Sequence, residues 1–372
     1  MLSDIDRHHL QRALALAHQS IGLSDPNPRV GCVIAGDGWQ AEGFTQAAGQ
    51  AHAEVMALRA ARAAGRDLRG STVYVTLEPC AHFGRTPPCC DALVEAGVGR
   101  VVVAVGDPNP RVAGQGIARL RAAGIAVEMA DDEIANASRE LNIGFFSRMT
   151  RGRPWVRVKV AMSLDGRTAL LNGASQWITG EAARADGHAW RRRAGAVLTG
   201  IGTVLADDPR LDVRLVPTTL QPLRVVVDSR LRLPTTARLL APPGAVLVAA
   251  ATSSPHQEAV LRAGGAEVVT LPNAQGGVDL PALLALLGER GVNEVHVEAG
   301  ARLNGALLDA DLVDEWLVYL APCVLGPGRE FAQLPAREDL AQCTRLQYVD
   351  IQPCGSDLRV RARPQAGALG PR

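Results

Sequence analysis

The chain has 372 residues, 47% of them hydrophobic, 21% charged and 3% aromatic, with a net charge of +1. That length suggests two domains, and the apolar content sustains a large core rather than a disordered chain. A near-neutral, aromatic-poor chain lacks the basic face and stacking rings of a nucleic-acid binder, and no apolar run reaches the length of a membrane span.

The opening "MLSDIDRHHL" is polar and does not read as a signal peptide. Seven cysteines, three of them crowded into one stretch, suit a reducing compartment and metal or catalytic thiols better than disulfides. A cytoplasmic protein without nucleic-acid or membrane partners is expected.

In chain order, residues 6–22 read as a helix with Leu10, Ala13, Leu14, Ala17 and Ile21 on one face. "RVGCVIAG" and "WQAEGFT" flank the turn "GDG" as a hairpin. A helix over 52–64, a strand "TVYVTL", a helix over 89–96, a strand "RVVVAV" and a helix over 117–123 then alternate. Such alternation argues an α/β sandwich. "DDEIANASRELNIGFFSRM" reads as one closing helix, and "TRGRP" as a linker, so the first domain spans 1–147 and the second 148–372. The second half repeats the α/β rhythm, with strands at "WVRVKVAM", "AVLTG", "LRVVVD", "AVLVAA", "AEVVTL", "EVHVEA" and "EWLVYLA", before a loose tail over 364–372.

The first chemistry-bearing constellation joins "HAE" to "PCAHFGRTPPCC". A zinc ion that activates water takes three protein ligands and keeps a fourth position open. His52 opens a helix with Glu54 two residues on, Cys80 follows a strand, and Cys89 and Cys90 follow Pro87-Pro88 at a helix start. Helix N-termini stabilise thiolates. Adjacent helical residues point about 100° apart, so only one of Cys89 and Cys90 can join His52 and Cys80 on an ion. Glu54 is then the general acid/base, the arrangement of zinc nucleobase deaminases. A structural zinc clip is the bland alternative, but it would close four ligands and would not need the glutamate. Eight residues separate Cys80 from Cys89 where deaminases in general carry two, and the insertion brings Arg85, either a phosphate ligand or a solvated loop residue.

"SDPNPRVGCVI", "HAEVMAL", "TLEPCAHFGRTPPCCDAL" and "DPNPRVAGQG" together resemble the deaminase domain of the bifunctional riboflavin-biosynthesis deaminase/reductases. That resemblance implies a cytidine-deaminase-like α/β/α sandwich and a zinc held by His52, Cys80 and Cys89, with Cys90 a bystander. It also implies Glu54 as proton shuttle, Asn27 holding the pyrimidine, and His82 and Arg85 near the substrate phosphate. Thr45 departs from the histidine common in that family.

In the second half, Lys159 is the single lysine among 39 basic residues, so an ammonium is either required there or survives by chance. "HVEAGARLNGALL" runs from strand through a Gly-rich turn into a helix whose first amides can hold phosphate, though Gly300 and Gly305 can equally serve packing. "LTGIGTVLADDPRLDVR" places Thr203, Asp207 and Arg214 on a loop after a strand. "WRRRAG" reads mostly as a solvated face with at most one ligand-binding arginine, and His188 and Trp190 as core or surface residues.

"KVAMSLDGRTAL", "SQWITG", "GIGTVLADDPRL", "VVVDSR" and "VEAGARLNGALL" resemble the reductase domain of the same family, and the blocks of both domains together run in family order from about residue 5 to 362. The resemblance implies a dihydrofolate-reductase-like α/β fold using NADPH. Ala161, Trp177, Thr203, Asp207 and Ser229 would line the cofactor, with Gly300, Ala301, Arg302, Leu303, Asn304, Gly305 and Ala306. Ser175, Arg191, Leu211, Arg214 and Glu298 would contact substrate, with Lys159 catalytic. The expected protein is thus a homo-oligomeric enzyme acting on a small pyrimidine ribosyl phosphate, first deaminating the ring and then reducing the ribosyl group. The competing readings are a nucleic-acid or nucleotide deaminase with a non-catalytic nucleotide-binding module, and a structural zinc protein. Asp228-Ser229-Arg230 offers both a repelling carboxylate and a welcoming guanidinium to a cofactor 2′-phosphate, so NADPH rests on the resemblance.

Overall fold

The computed structural model describes residues 2–82, 87–110 and 112–365; Arg85 and the last seven residues of the expected tail lie outside them. The chain divides into two compact units, Met1–Arg153 and Pro154–Arg372.

The first unit starts with α1 (Asp4–Ala17), which Ser3 and Asp6 begin as a reciprocal capping box. The hairpin pairs β1 (Gly31–Gly36) with β2 (Trp39–Phe44) across Asp37-Gly38, Gly38 supplying the positive φ of +70° that the two-residue turn demands. There follow α2 (Ala53–Ala63), β3 (Thr72–Val75), α3 (Cys89–Glu95), β4 (Arg100–Val103), α4 (Gln115–Ala122), β5 (Ala126–Met129), α5 (Asp132–Leu141) and α6 (Ile143–Arg151). The sheet order is β2-β1-β3-β4-β5, with β3, β4 and β5 mutually parallel. Alternation buries both faces. Val73 and Val75 meet Ala57, Leu58 and Leu93 of α2 and α3, while Tyr74 and Val102 meet Leu10 and Ala13 of α1.

The expected single closing helix is two helices. Asn142 interrupts it because its side chain pairs with the backbone of Arg29, accepting from the Arg29 amide at 2.7 Å and donating to the Arg29 carbonyl at 2.9 Å. An asparagine that bonds to a neighbouring chain competes with helix continuation. The break re-aims α6.

The second unit is a doubly covered sheet. Its elements are β6 (Trp155–Ser163), β7 (Ala169–Leu170), α7 (Glu181–Arg193), β8 (Ala196–Gly200), α8 (Ile201–Asp207), β9 (Leu223–Val227), β10 (Val246–Ala250), α9 (Pro255–Ala263), β11 (Ala266–Thr270), α10 (Leu280–Glu289), β12 (Glu294–Val297), α11 (Ala301–Asp309), β13 (Glu315–Ala321), β14 (Gly328–Arg329), β15 (Leu346–Cys354) and β16 (Asp357–Pro364). Nine strands run β11-β10-β9-β8-β12-β6-β13-β16-β15, and β7 pairs with β14 separately. The seven strands from β11 to β13 are parallel; β16 and β15 add an antiparallel hairpin at the edge. The chain walks outward from β8 to β11 and then returns, inserting β12 between β8 and β6. Carboxyl ends of parallel strands at such a reversal form the usual ligand crevice.

Two expectations change here. The stretch carrying Thr203 and Asp207 is the short helix α8, not a loop. The edge hairpin β15–β16 has no counterpart in the sequence reading.

Charge also runs through the core of the second unit. Arg157 is fully buried between Glu294 (2.7 Å) and Glu315 (2.6 Å), with its guanidinium 4.3 Å from the Trp190 ring. Arg193, Arg361 and Arg363 complete the shell around the same two glutamates. Paired charges are the form in which ions are tolerated inside a fold, though one buried Arg157 Nη has no hydrogen-bond partner among the described residues.

Candidate zinc and reductase sites

The first site forms where three chain segments meet. His52 is the N-cap residue of α2, Glu54 lies in that helix's first turn, Cys80 follows β3 by five residues, and Cys89 opens α3. His52 Nδ1 lies 3.2 Å from Cys89 Sγ and 3.7 Å from Cys80 Sγ, and the three donor atoms all fall within 4.8 Å of one another. Zinc–sulfur and zinc–nitrogen bonds of roughly 2.3 and 2.0 Å imply tetrahedral edges of roughly 3.5–3.8 Å, so one imidazole and two thiols at this spacing fit that ion. Three such ligands would leave a zinc ion's fourth position for water.

The thiols share one negative charge. A hydrogen bond from Cys89 pulls Cys80 down to about 4 against the cost of burial, with His52 and the Cys89 amide (3.3 Å) assisting, while the same contact pushes Cys89 up. A divalent cation would take both as thiolates. Cys90, by contrast, is fully buried in the hydrophobic core with Leu93 and Val73, and burial raises its pKa to about 11. Glu54 is 4% exposed, and burial lifts its carboxyl to about 7, opposed by the His52 charge.

A cavity of about 380 Å³ opens onto this triangle. Asn27, Thr45, His52, Glu54, Cys80 and His82 all line it, so these sequence-derived residues converge. The Thr45 hydroxyl is engaged by the backbone of Val30, accepting from its amide at 3.2 Å. Glu78, Asp107, Asn109, Phe145, Arg148 and Met149 also line the cavity and were missed. "DPNPRV" was quoted only for its resemblance, and α6 reaches the cavity only because of the break at Asn142.

Glu78 has a distinct task. Its carboxylate accepts four backbone amides, from Asp107 (3.2 Å) and Gly114 (3.0 Å) on one oxygen and Gly116 (3.0 Å) and Ile117 (3.2 Å) on the other. Gly116 lies so near that a β-carbon there would stand 1.9 Å from the Pro79 carbonyl. The residue before Cys80 is thereby clamped to the start of α4.

The second site gathers at the carboxyl ends of β6, β8, β9 and β12. Arg191, near the end of α7, grips Glu298 in a two-pronged ion pair and donates to the Asp212 carbonyl at 2.9 Å. Burial opposes that charge, but the Arg191 guanidinium holds the Glu298 carboxyl well below its ordinary range. His188 receives the Arg214 amide at 3.2 Å, and burial with two neighbouring guanidinia drops its pKa to about 4. It is a fixed neutral prop for the arginines. Arg214 also pairs with Asp212 at 2.6 Å while 45% of its side chain stays exposed. Leu211 is buried with φ of +57°, a left-handed conformation that is strained for leucine.

Lys159 is half-buried beside this cluster, its ammonium 5.8 Å from the Tyr319 ring centroid. Burial lowers its pKa and Arg191 adds to the effect, against the attraction of Glu298. Tyr319 is fixed in turn by a 2.6 Å bond to Asp186.

The cofactor-side residues divide. Thr203 on α8 and Gly300, the N-cap residue of α11, face each other closely enough that a β-carbon on Gly300 would lie 3.8 Å from the Thr203 hydroxyl. Beside them α11 begins at Ala301 and Arg302, while the Leu303 amide already donates to the Gly300 carbonyl at 3.2 Å. Asn304 instead ties Ala299 and Phe331 carbonyls together, and Gly305 admits the Gln333 carbonyl, 1.9 Å from where a β-carbon would be. These two have packing tasks. Ala306 is exposed on the same helix. Ala161 lies near the end of β6, Asp207 ends α8, and Ser229 follows β9. Trp177 and Ser175 occupy the loop before α7, where Trp177 is 67% exposed and covered on one side by the Arg184 guanidinium at 4.6 Å. No hydrogen bond among the described residues ties Ser175 to the Arg191–Glu298 pair. Asp228 is fully buried, its carboxylate turned back onto the Leu233 amide at 2.8 Å, which removes the carboxylate expected to repel a 2′-phosphate.

Residues 3–105 match the family described as the cytidine and deoxycytidylate deaminase zinc-binding region, and residues 154–360 match the RibD C-terminal domain. The Escherichia coli riboflavin biosynthesis protein RibD is 43% identical over 95% of this chain and 98% of its own length. Its Aquifex aeolicus counterpart is 39% identical over 96% and 98%. Among solved structures, Acinetobacter baumannii RibD aligns with a TM-score of 0.88 at 43% identity, covering 97% of this chain and 99% of its own. A Thermotoga maritima diaminohydroxyphosphoribosylaminopyrimidine deaminase/5-amino-6-(5-phosphoribosylamino)uracil reductase aligns at 0.86 with 33% identity, covering 97% and 99%.

Replacing Glu78 with Gln turns an acceptor of four amides into a group that presents its own N–H to two of them. Each buried bond lost costs about 1–3 kcal/mol. Glu78→Gln is expected to lower the unfolding temperature and the zinc content measured by atomic absorption; a variant with full zinc and unchanged melting would remove the clamp from the account.

Proposed function

The chain belongs to the RibD family of bifunctional riboflavin-biosynthesis enzymes, and on that premise we propose which residues carry each of its two reactions. The enzyme hydrolytically deaminates the 2-amino group of 2,5-diamino-6-ribosylamino-4(3H)-pyrimidinone 5′-phosphate. It then reduces the ribosyl group with NADPH to give the ribitylamino-uracil phosphate.

For the deamination, His52, Cys80 and Cys89 would hold the zinc, which would supply the Lewis acidity that makes water a nucleophile near neutral pH. Glu54 carries one proton of the attacking water to a ring nitrogen, then carries the second, from the new hydroxyl, to the amino group, which leaves as ammonia as its C–N bond breaks and the carbon becomes a carbonyl. Its burial and elevated pKa suit a group that must both accept and release a proton. Asn27 orients the ring, and His82 stands at the exposed side of the cavity. The observation that carries this reading is the His/Cys/Cys triangle with a buried glutamate on one cavity wall.

For the reduction, bound NADPH would supply hydride-transfer chemistry towards C1′ of the opened ribosyl group. Thr203, Gly300 and the first amides of α11 hold a cofactor phosphate, with Ala161, Trp177, Asp207 and Ser229 as further cofactor contacts. Because Arg191 is locked onto Glu298, it orients that carboxylate, and the more exposed Arg214 takes the substrate phosphate. Lys159, made more acidic by burial, lies beside Glu298 to donate a proton as the carbon accepts hydride.

The enzyme works as a homo-oligomer in the cytoplasm. No described helix is long and apolar enough to cross a membrane. Directly opposed residues on β13, β16 and β15 place Val318, Val360 and Ile351 in one row and Leu320, Leu358 and Pro353 in the next. Ile351 is 50% and Tyr348, on the same sheet face, 69% exposed. A contiguous apolar face beside an open strand edge supports pairing with a second copy.

Following ammonia and NADPH separately, with and without chelator, tests the two halves. Glu54→Gln is expected to keep zinc and abolish ammonia release, a loss on the order of 10²–10⁴-fold for a proton-transfer group; retained deamination removes Glu54 from the mechanism. Lys159→Arg should slow NADPH oxidation by at least about 10²-fold while ammonia release continues, and unchanged reduction would make the lone lysine incidental. Sedimentation of the wild type should show a species larger than one chain, converted to monomer in Tyr348→Glu/Ile351→Glu.

A further inference from the structure

Lys159 stands on β6, which runs parallel to β13 in the sheet. The register sets Leu317 opposite Lys159 and Tyr319 opposite Ala161, so Tyr319 is the lysine's diagonal neighbour on the sheet face that α7 covers. The ammonium lies 5.8 Å from the Tyr319 ring centroid, within reach of a ring's negative face.

We propose that Tyr319 is a positioning residue for the reduction, its ring seating the Lys159 ammonium beside Glu298. The proposal rests on Lys159 as the proton donor and names what keeps that donor in place and charged.

Three observations converge. Tyr319 is fully buried and its ring is pinned. The hydroxyl donates to Asp186 of α7 at 2.6 Å, and the Arg359 guanidinium of β16 holds Asp186 at 3.3 Å. Arg359 is fixed in turn on Asp350 of β15 at 2.9 Å. The hydroxyl is also no rival acid, because burial and the Asp186 carboxylate hold its proton far above the ordinary phenol range. The ring is what it offers the lysine. Finally, the charges around Lys159 leave a task for such a ring. Burial presses the amine towards its neutral form, Arg191 of α7 adds to that, and Glu298 beyond β12 opposes both. His188 of α7 and His296 of β12 are kept neutral by burial, and Asp186 and Arg359 pair with each other behind the ring. A ring face supports the ammonium without competing for its proton, as a second carboxylate would.

Tyr319 also packs with Ala183 and Leu317 under α7, and packing alone would leave the lysine's titration untouched. Lys159 is the single lysine and Tyr319 one of three tyrosines, so labelling those residue types gives readable NMR signals on the full-length, zinc-loaded protein. The carbon beside the Lys159 ammonium is followed against pH in the wild type, Tyr319→Leu and Tyr319→Phe. The pH profile of kcat for reduction of the deaminated intermediate is measured on the same samples, and NADPH binding reports a folded second unit. Losing the ring withdraws support from the ammonium and so lowers its pKa. In Tyr319→Leu the Lys159 signal and the alkaline limb of kcat, where the donor loses its proton, should both move about one unit towards lower pH, and reduction should slow about 10-fold. Tyr319→Phe keeps the ring and should recover most of both. An unmoved lysine titration in a Tyr319→Leu protein that binds NADPH would leave Tyr319 as packing. A Tyr319→Phe variant as impaired as Tyr319→Leu would assign the effect to the hydroxyl; either result overturns the proposal. Should Tyr319→Leu fail to bind NADPH, the wild type decides: a nuclear Overhauser contact between the Lys159 ε-protons and a tyrosine ring is expected, and its absence refutes the seat. A lysine titration that moves while the alkaline limb stays put would support the ring contact and fault Lys159 as the proton donor.

Discussion

A buried carboxylate that accepts four amides is the constraint on which the deaminase half depends. Glu78 is 4% exposed, and its two oxygens are met by N–H groups from Asp107, Gly114, Gly116 and Ile117. Oriented backbone dipoles solvate the ion as water would, so no countercharge is required. Because Glu78 precedes Pro79 and Cys80, the depth of the first thiol follows from that clamp. The packing of Gly116 against the Pro79 carbonyl excludes a larger residue. Asp107 and Asn109 reach the cavity through the same loop, so a candidate zinc ligand and two cavity-lining residues are set by one anchor.

The reductase half solves the problem of a buried acid in the opposite way. Glu298 and Glu315 are met by guanidinia rather than amides, and each arginine is itself held by a ring or a carbonyl. Parallel strands bring their carboxyl ends to one edge, and the return of β12 between β8 and β6 opens a crevice there. A flat, strongly charged floor results. The deaminase cavity, by contrast, is lined by Glu54, Glu78 and Asp107 beside the His52–Cys80–Cys89 triangle.

What could be read from the sequence was chemistry with few alternatives. His52, Glu54, Cys80 and a cysteine after Pro-Pro are rare residue types in a rare order, and alternation made the core strands legible. What could not be read depended on partners distant along the chain. Asn142 looks like an ordinary helical residue until Arg29 is beside it. "WRRR" looks solvated until Glu298 and Glu294 take Arg191 and Arg193. The edge hairpin escaped because exposed residues on both faces of β15 erase the period-two contrast. Asp228 offered a carboxylate to the cofactor on paper, yet it folds inward onto Leu233.

Lys159 has a consequence for handling the protein. Every other basic side chain of the Lys/Arg class is a guanidinium, inert towards acylating reagents at ordinary pH, and burial has made this one amine less basic. Amine-directed labels and surface-coupling chemistries therefore have two addresses, the chain's α-amino group and the floor of the reductase crevice. A reagent chosen to tag the molecule harmlessly would converge on the lysine that the proposed mechanism uses beside Glu298.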